Sequence, residues 1–193
     1  NQLLGHIYAN WLERKTFPKF PLVALVVSGG HTDLVYMKGH GKTEWIGGTR
    51  DDTAGEAFDK TARLLGLPYP GGPSISQAAA NHNESDFDLK INLPRPMINT
   101  EDFDFSFSGL KTAVYSLVEK EKNKGGLDNQ QVLSIAHETQ EAITDVLVEK
   151  TLRAIEKYQC KTLLLGGGVA ANNKLKEKRS EEHTSELQSR ITI

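Results

Sequence analysis

Apolar and polar positions change their period along this chain, and each change predicts an element. LVALVVS from Leu22 to Ser28, TDLVYMK from Thr32 to Lys38 and TEWIG after Lys42 are short, β-favourable runs joined by glycine-containing turns, and they predict a three-strand meander. Near Thr53 the period becomes helical. In AGEAFDKTARLL, Ala57, Thr61 and Leu64 share one face while Glu56, Asp59 and Lys60 fall elsewhere around the axis. Asp51 and Asp52 precede this helix, where carboxylates satisfy first-turn N–H groups and complement the dipole. GLPYPGGP then predicts a turn whose paired glycines let backbone approach a ligand closely. A polar loop from about Asn81 to Asp104 leads to a second helix start at FSFSGLKTAVYSLVEK. The longest periodic segment runs from Gln130 to Tyr158, with Val132, Ile135, Ala136, Ile143, Val146, Leu147 and Ile155 at helical spacing. It predicts a core helix and not a ligand-binding one. KTLLLGGG closes the pattern with a buried strand, a glycine turn and a new helix from about Asn172.

Composition narrows this picture. The chain has 193 residues, 38% apolar and 25% charged, enough for one sizeable core and part of a second. No apolar run approaches the roughly 20 residues that cross a bilayer. NQLLGHIYANW lacks the order of a signal peptide, which predicts a cytoplasmic protein. The single cysteine, Cys160, precedes an apolar strand and predicts simple packing. A formal charge of −2 supplies no overall field for nucleic acid, so polynucleotide contacts must come from local clusters or partner proteins.

The candidate chemistry lies at the glycine turns. VVSGGHT and LLLGGGVAANN each follow a strand with small residues whose backbone N–H groups can point at an anion. Neither matches the dinucleotide fingerprint or the P-loop, and a lone GG or GGG after a strand is more often a tight turn. Two such turns around a strand meander, with DDTAGEAFDK between them, are what half of an actin-like nucleotide-binding fold needs. The carboxylates of that helix have a simpler alternative role as a solvated charged face.

VSGGHT, DDTAGEAFDK, YPGGP, DFSFSGLKT and GGGVAAN, in this order between Asn1 and Lys178, resemble the universal tRNA threonylcarbamoyladenosine transferase family, whose bacterial type is TsaD. The resemblance implies an α/β actin/Hsp70/sugar-kinase-like fold, mostly the second of its two domains. Residues 1–20 would end the first domain, and 21–178 would form a nucleotide-binding second domain that is C-terminally incomplete. It implies transfer of a threonylcarbamoyl group from threonylcarbamoyl-AMP to N6 of the adenosine 3′ of the anticodon, in tRNAs reading codons that begin with A. Carried over by position, the substrate-binding residues are Val26, Val27, Ser28, Gly29, Gly30, Asp59, Gly72 and Asn172, with no catalytic side chain assigned. Asp59 would accept ribose hydroxyls, Gly72 would let backbone lie against sugar or base, and Asn172 offers both donor and acceptor. The implied cofactor is one divalent metal, iron by resemblance with zinc as the alternative, and the implied partners are tRNA and TsaB-like and TsaE-like proteins.

The metal site departs from the family pattern of two histidines four residues apart plus a distant aspartate. Only His6 matches, because Gln2 stands at the first histidine position and an amide is a poorer transition-metal ligand. Leu4 replaces a common acidic residue, Gly48 a usual glutamate and Ser76 a frequent aspartate. His31, His40, His82 and His137 are scattered, and only His31 stands beside the SGG turn. RSEEHTSELQ, Arg179 to Gln188, resembles the translation of a common sequencing-adapter oligonucleotide, so 179–193 is expected to be a non-native tail, with a polar disordered tail as the alternative. The chain is then expected to be a fragment cut at both ends, with little or no transferase activity alone, since positioning and electrostatic stabilisation need both walls of a cleft. An ATP-binding regulatory or kinase-like domain is the alternative function. A metalloprotease is the least supported, for want of HExxH geometry.

Overall fold

A computed structural model describes residues 2–11, 17–83 and 91–182, with the side chains of 170, 171, 176 and 179–182 left aside. Three strands form the expected meander: β1 (Leu22–Val27), β2 (Thr32–Gly39) and β3 (Lys42–Gly48). A fourth strand, β4 (Thr162–Gly166), pairs parallel to β1, giving the order β3-β2-β1-β4 with the other two pairings antiparallel. The helices α1 (Gln2–Tyr8), α2 (Ala54–Leu64), α3 (Gly71–Ala80), α4 (Ser108–Lys122), α5 (Asn129–Lys157) and α6 (Asn173–Glu182) complete the described chain. A meander extended by a parallel strand after a helical crossover is an α/β arrangement of the actin/Hsp70/sugar-kinase type. None of these helices is long and apolar enough to cross a membrane.

All six residues of β1 are buried, because both faces of the sheet are covered. On one face Val23, Leu25 and Val27 join Leu34, Tyr36 and Leu163 against Phe58 of α2, Leu110 and Val114 of α4, and Ile143 and Leu147 of α5. On the other, Leu22, Ala24 and Val26 join Val35, Met37 and Leu164 against Ile7 of α1. Each such side chain contributes about 1.5–3 kcal/mol through burial, which explains why the run reads as continuous and not as alternating. β3 forms one edge of the sheet and leaves Trp45 57% exposed. Cys160 packs as expected, and burial pushes its thiol up to about 11.

Two expectations change. First, α2 starts with a capping box and not with the preceding aspartates. The Thr53 hydroxyl accepts from Glu56 N at 3.1 Å and the Glu56 carboxylate accepts from Thr53 N at 2.9 Å, so the first-turn donors are met locally. Asp51 is thereby released to start α4, whose N-cap lies 56 residues downstream of it. Its Oδ1 accepts from Phe107 N at 2.8 Å and Ser108 N at 3.3 Å, and its Oδ2 from the hydroxyls of Ser106 at 2.6 Å and Ser108 at 2.7 Å. Phe107, the N-cap of α4, has no side chain able to do this. Burial alone would raise the Asp51 carboxyl, but these donors outweigh it and hold it below the usual carboxylate range. Asp52 pairs with Lys60.

Second, GGP is not a turn but the first turn of α3. Pro73 is tolerated there because first-turn N–H groups have no intrahelical acceptor. The polar loop expected from about Asn81 to Asp104 is irregular where it is described, and from 91 to 107 the segment is pinned. Lys150 of α5 is fully buried and donates to Thr100 Oγ1 at 2.8 Å and Asp102 O at 3.0 Å, and Arg153 donates to Ile98 O and Thr100 O, both at 2.9 Å. Arg95 ties the same segment to Glu138 and Asp145. This fixes the strand-like bridge between Thr49 and Phe105 and delivers Ser106 and Ser108 to Asp51.

α6 runs to Glu182 and so takes in residues 179–182 of the expected tail 179–193, while the rest of that tail, from 183 onward, lies outside the described residues.

Candidate functional site

The C-terminal ends of β1 and β4 point into a cavity of about 790 Å3 walled by α2, α3, α5 and α6. Crossing the ends of parallel strands with helix N-termini is the general location of ligand sites in α/β sheets. Of the residues expected to bind substrate, Gly29, Asp59, Gly72 and Asn172 line this cavity, so four separate segments converge on one space.

The remaining candidates lie outside its wall. Val26 belongs to the α1-side cluster and Val27 to the opposite core face, both fully buried. Ser28 N donates to His31 O at 2.8 Å, and the Ser28 hydroxyl accepts from Gly30 N at 3.3 Å, so Gly30's N–H is engaged within the loop. The loop therefore presents Gly29 to the cavity, held by the Thr53 hydroxyl donating to Gly29 O at 2.9 Å.

Asp59 occupies the junction of α2 and α3. Its Oδ1 accepts from Gly71 N at 2.7 Å, capping α3 where Pro70 cannot, while its Oδ2 has no hydrogen bond among the described residues. This pairing demands close backbone approach. A Cβ on Gly71 would lie 2.4 Å from the Asp59 Cα and 2.6 Å from Phe58 O, whereas a Cβ on Gly72 would meet nothing within 4 Å. The paired glycines thus divide the role expected of both: Gly71 admits the α2 backbone, and Gly72 faces the cavity. The GGG turn divides likewise. Gly167 adopts φ 88° with its Cβ position 2.3 Å from Val27 O, while Gly168 is open and lines the cavity.

α5 supplies functional positions that its apolar period concealed. His137, Gln140 and Glu141 line the cavity beside Ser76 of α3 and Lys174 of α6, so the helix read as core alone is also a cavity wall. The Ser76 hydroxyl donates to Gln140 Oε1 at 2.7 Å, and Asn172 Nδ2 donates to Ser76 Oγ at 2.8 Å and Gln140 Oε1 at 3.1 Å. Asn172 Oδ1 accepts from Leu175 N at 3.2 Å and so starts α6, as the helix start expected near Asn172 requires. The signal for Gln140 was present in the sequence: it falls on the stripe Ala136, Ile143, Leu147 and is a polar residue 7% exposed.

Electrostatically this end of the cavity is mixed. Burial lowers the His137 imidazole pKa, with Glu141 opposing and His82, whose ring centroid is 4.7 Å away, adding to it. Burial would raise Glu141, but Lys178 at 2.7 Å and Lys174 at 3.3 Å outweigh it and hold the carboxyl low.

His6 lies on α1, half-buried and outside the cavity wall, with its ring centroid 6.2 Å from that of His31. Among the described residues no three His, Cys, Asp or Glu side chains converge as metal ligands, and Gln2 is exposed. The described residues therefore do not by themselves fit the expected divalent ion.

Comparison with known proteins agrees with the motif order. The family described as TsaD: tRNA N6-adenosine threonylcarbamoyltransferase matches residues 1–192. A tRNA N6-adenosine threonylcarbamoyltransferase of Halalkalibacterium halodurans is 49% identical over 176 residues, covering 91% of this chain and 49% of its own length. That of Desulfitobacterium hafniense is 51% identical over 181 residues, with 94% and 51% covered. That of Syntrophomonas wolfei is 49% identical over 185 residues, with 94% and 52% covered. The chain spans about half the length of these curated relatives.

Proposed function

Because the chain belongs to the tRNA N6-adenosine threonylcarbamoyltransferase family, we propose that its cavity holds the adenylate of threonylcarbamoyl-AMP, for transfer of the threonylcarbamoyl group to N6 of adenosine in tRNA. The observation that carries this reading is the convergence of Gly29, Asp59, Gly72 and Gly168 on one cavity, each with an open side toward it. The Asp59 oxygen that Gly71 does not use suits ribose hydroxyls, which donate to a carboxylate oxygen. Gly29 and Gly168 let backbone amides approach the phosphate without side-chain interference. Phe58, Ala79, Ala80 and Val169 give the apolar surface that a purine needs.

In the transfer, the N6 amine attacks the carbamoyl carbon, a C–N bond forms, the C–O bond to phosphate breaks, AMP leaves and the amine loses a proton. The residues described here bind and orient the leaving nucleotide, and the complete reaction is proposed for a protein of the relatives' full length. tRNA and proteins like TsaB and TsaE are proposed partners, the latter because a chain of charge −2 has little field of its own for RNA, and a cytoplasmic location accords with that substrate. Calorimetric titration of the chain with AMP tests the reading: saturable binding supports it, and absence of binding at millimolar AMP overturns it.

A further inference from the structure

The hydrogen bonds among Asn172, Ser76 and Gln140 have only one consistent polarity. It is set by a group that cannot change role, the backbone N–H of Leu175, which can only donate. Asn172 must therefore present Oδ1 to it, at 3.2 Å, which turns Nδ2 toward Ser76 and Gln140. The Gln140 atom facing Nδ2 must accept, so it is Oε1. Ser76 accepts from Asn172 through a lone pair and donates its own hydrogen to the same Oε1. Every polar atom of the relay is then engaged except Gln140 Nε2. This atom has no hydrogen-bond partner among the described residues, sits on a cavity-lining side chain and is not fully buried.

From this geometry we infer that Gln140 is a specificity-determining residue, whose amide NH2 donates to a ring-nitrogen acceptor of the purine and does not accept from its exocyclic amine. The inference rests on the adenylate reading above and names the edge of the base that the cavity reads. Ser76 and Asn172 are positioning residues in it, acting through Gln140. The serine hydroxyl that this chain carries at position 76 holds that polarity because it donates and accepts at once. A carboxylate there accepts only, so Ser76→Asp would take Asn172 Nδ2 away from Gln140, draw Gln140 Nε2 onto itself as well and turn Oε1 to the cavity.

The test compares AMP with purine riboside 5′-monophosphate, which keeps the ring nitrogens but lacks the amine. The wild-type chain should bind both within about threefold, and Ser76→Asp should prefer AMP by about tenfold or more, the scale of one hydrogen bond left unmade. Added charge at position 76 repels both phosphates alike, so the ratio reports only the base. If the wild type binds AMP but loses tenfold without the amine, the inference is overturned and the nucleotide reading stands. If it binds neither, the nucleotide reading fails and the inference with it. Side-chain amide NMR of the nucleotide-free chain provides a second readout. Gln140 NH2 protons should exchange with water faster than those of Asn172, and the reverse order would overturn the relay whatever binds.

Discussion

Asp51 and Asp59 flank the same short motif, DDTAGEAFDK, and the fold uses them in opposite ways. Asp51 turns both oxygens inward on four donors at the start of α4. Asp59, which lines the cavity, gives one oxygen to Gly71 N and leaves the other without a hydrogen bond among the described residues. Gly71 and Gly72 repeat the contrast one residue apart, the first pressed on the α2 backbone and the second open. Chemically identical residues within each motif thus divide into those that hold the cavity's walls together and those that the walls present. The division is set by where α3 and α4 approach, not by the motif itself.

The largest way to break this comparison is at the glycines. Gly71→Ala places a methyl group 2.4 Å from the Asp59 Cα, a backbone contact that no rotamer relieves. Denaturant unfolding should show a loss of about 2–3 kcal/mol. Gly72→Ala, with nothing within 4 Å, should leave stability unchanged or raise it by up to about 1 kcal/mol, while calorimetry shows weaker AMP binding. Equal destabilisation by both would erase the distinction.

The carboxylates sharpen it. Asp59→Asn keeps an oxygen for Gly71 N but replaces the cavity-facing acceptor with a donor, and AMP affinity should fall about tenfold. Asp51→Asn leaves the cavity untouched and weakens the α4 cap, costing about 1 kcal/mol in thermal or chemical unfolding.

The smallest effect is in pH. Asp51 titrates below its ordinary value of 3.8 in the folded chain, so its contribution is complete above that pH and is lost as pH falls through the lower folded value. The stability gap between wild type and Asp51→Asn should therefore narrow as pH drops below 3.8. A gap that instead widens in acid would show that the donors on Asp51 do not stabilise its charged form.

Local pattern made much of this legible. The three meander strands, the α5 segment and the helix start at Asn172 follow from runs of apolar residues and glycine turns, because those signals are determined within a few residues. What escaped was non-local. Nothing near Asp51 announces a helix 56 residues away that lacks a capping side chain. The period of α5 marks which face is covered, but not that Gln140 on that face meets Ser76 and Asn172 across a cavity. GGP reads as a turn because glycine and proline punctuate locally, while the carboxylate that caps α3 lies 12 residues earlier. In each case, two segments brought together by the sheet decided the role.

The most direct test of the central claim is AMP titration of wild type, Asp51→Asn and Asp59→Asn side by side under identical conditions. The account predicts that the wild type and Asp51→Asn bind alike and that Asp59→Asn binds about tenfold more weakly. Equal affinity for all three, or a loss confined to Asp51→Asn, would contradict it.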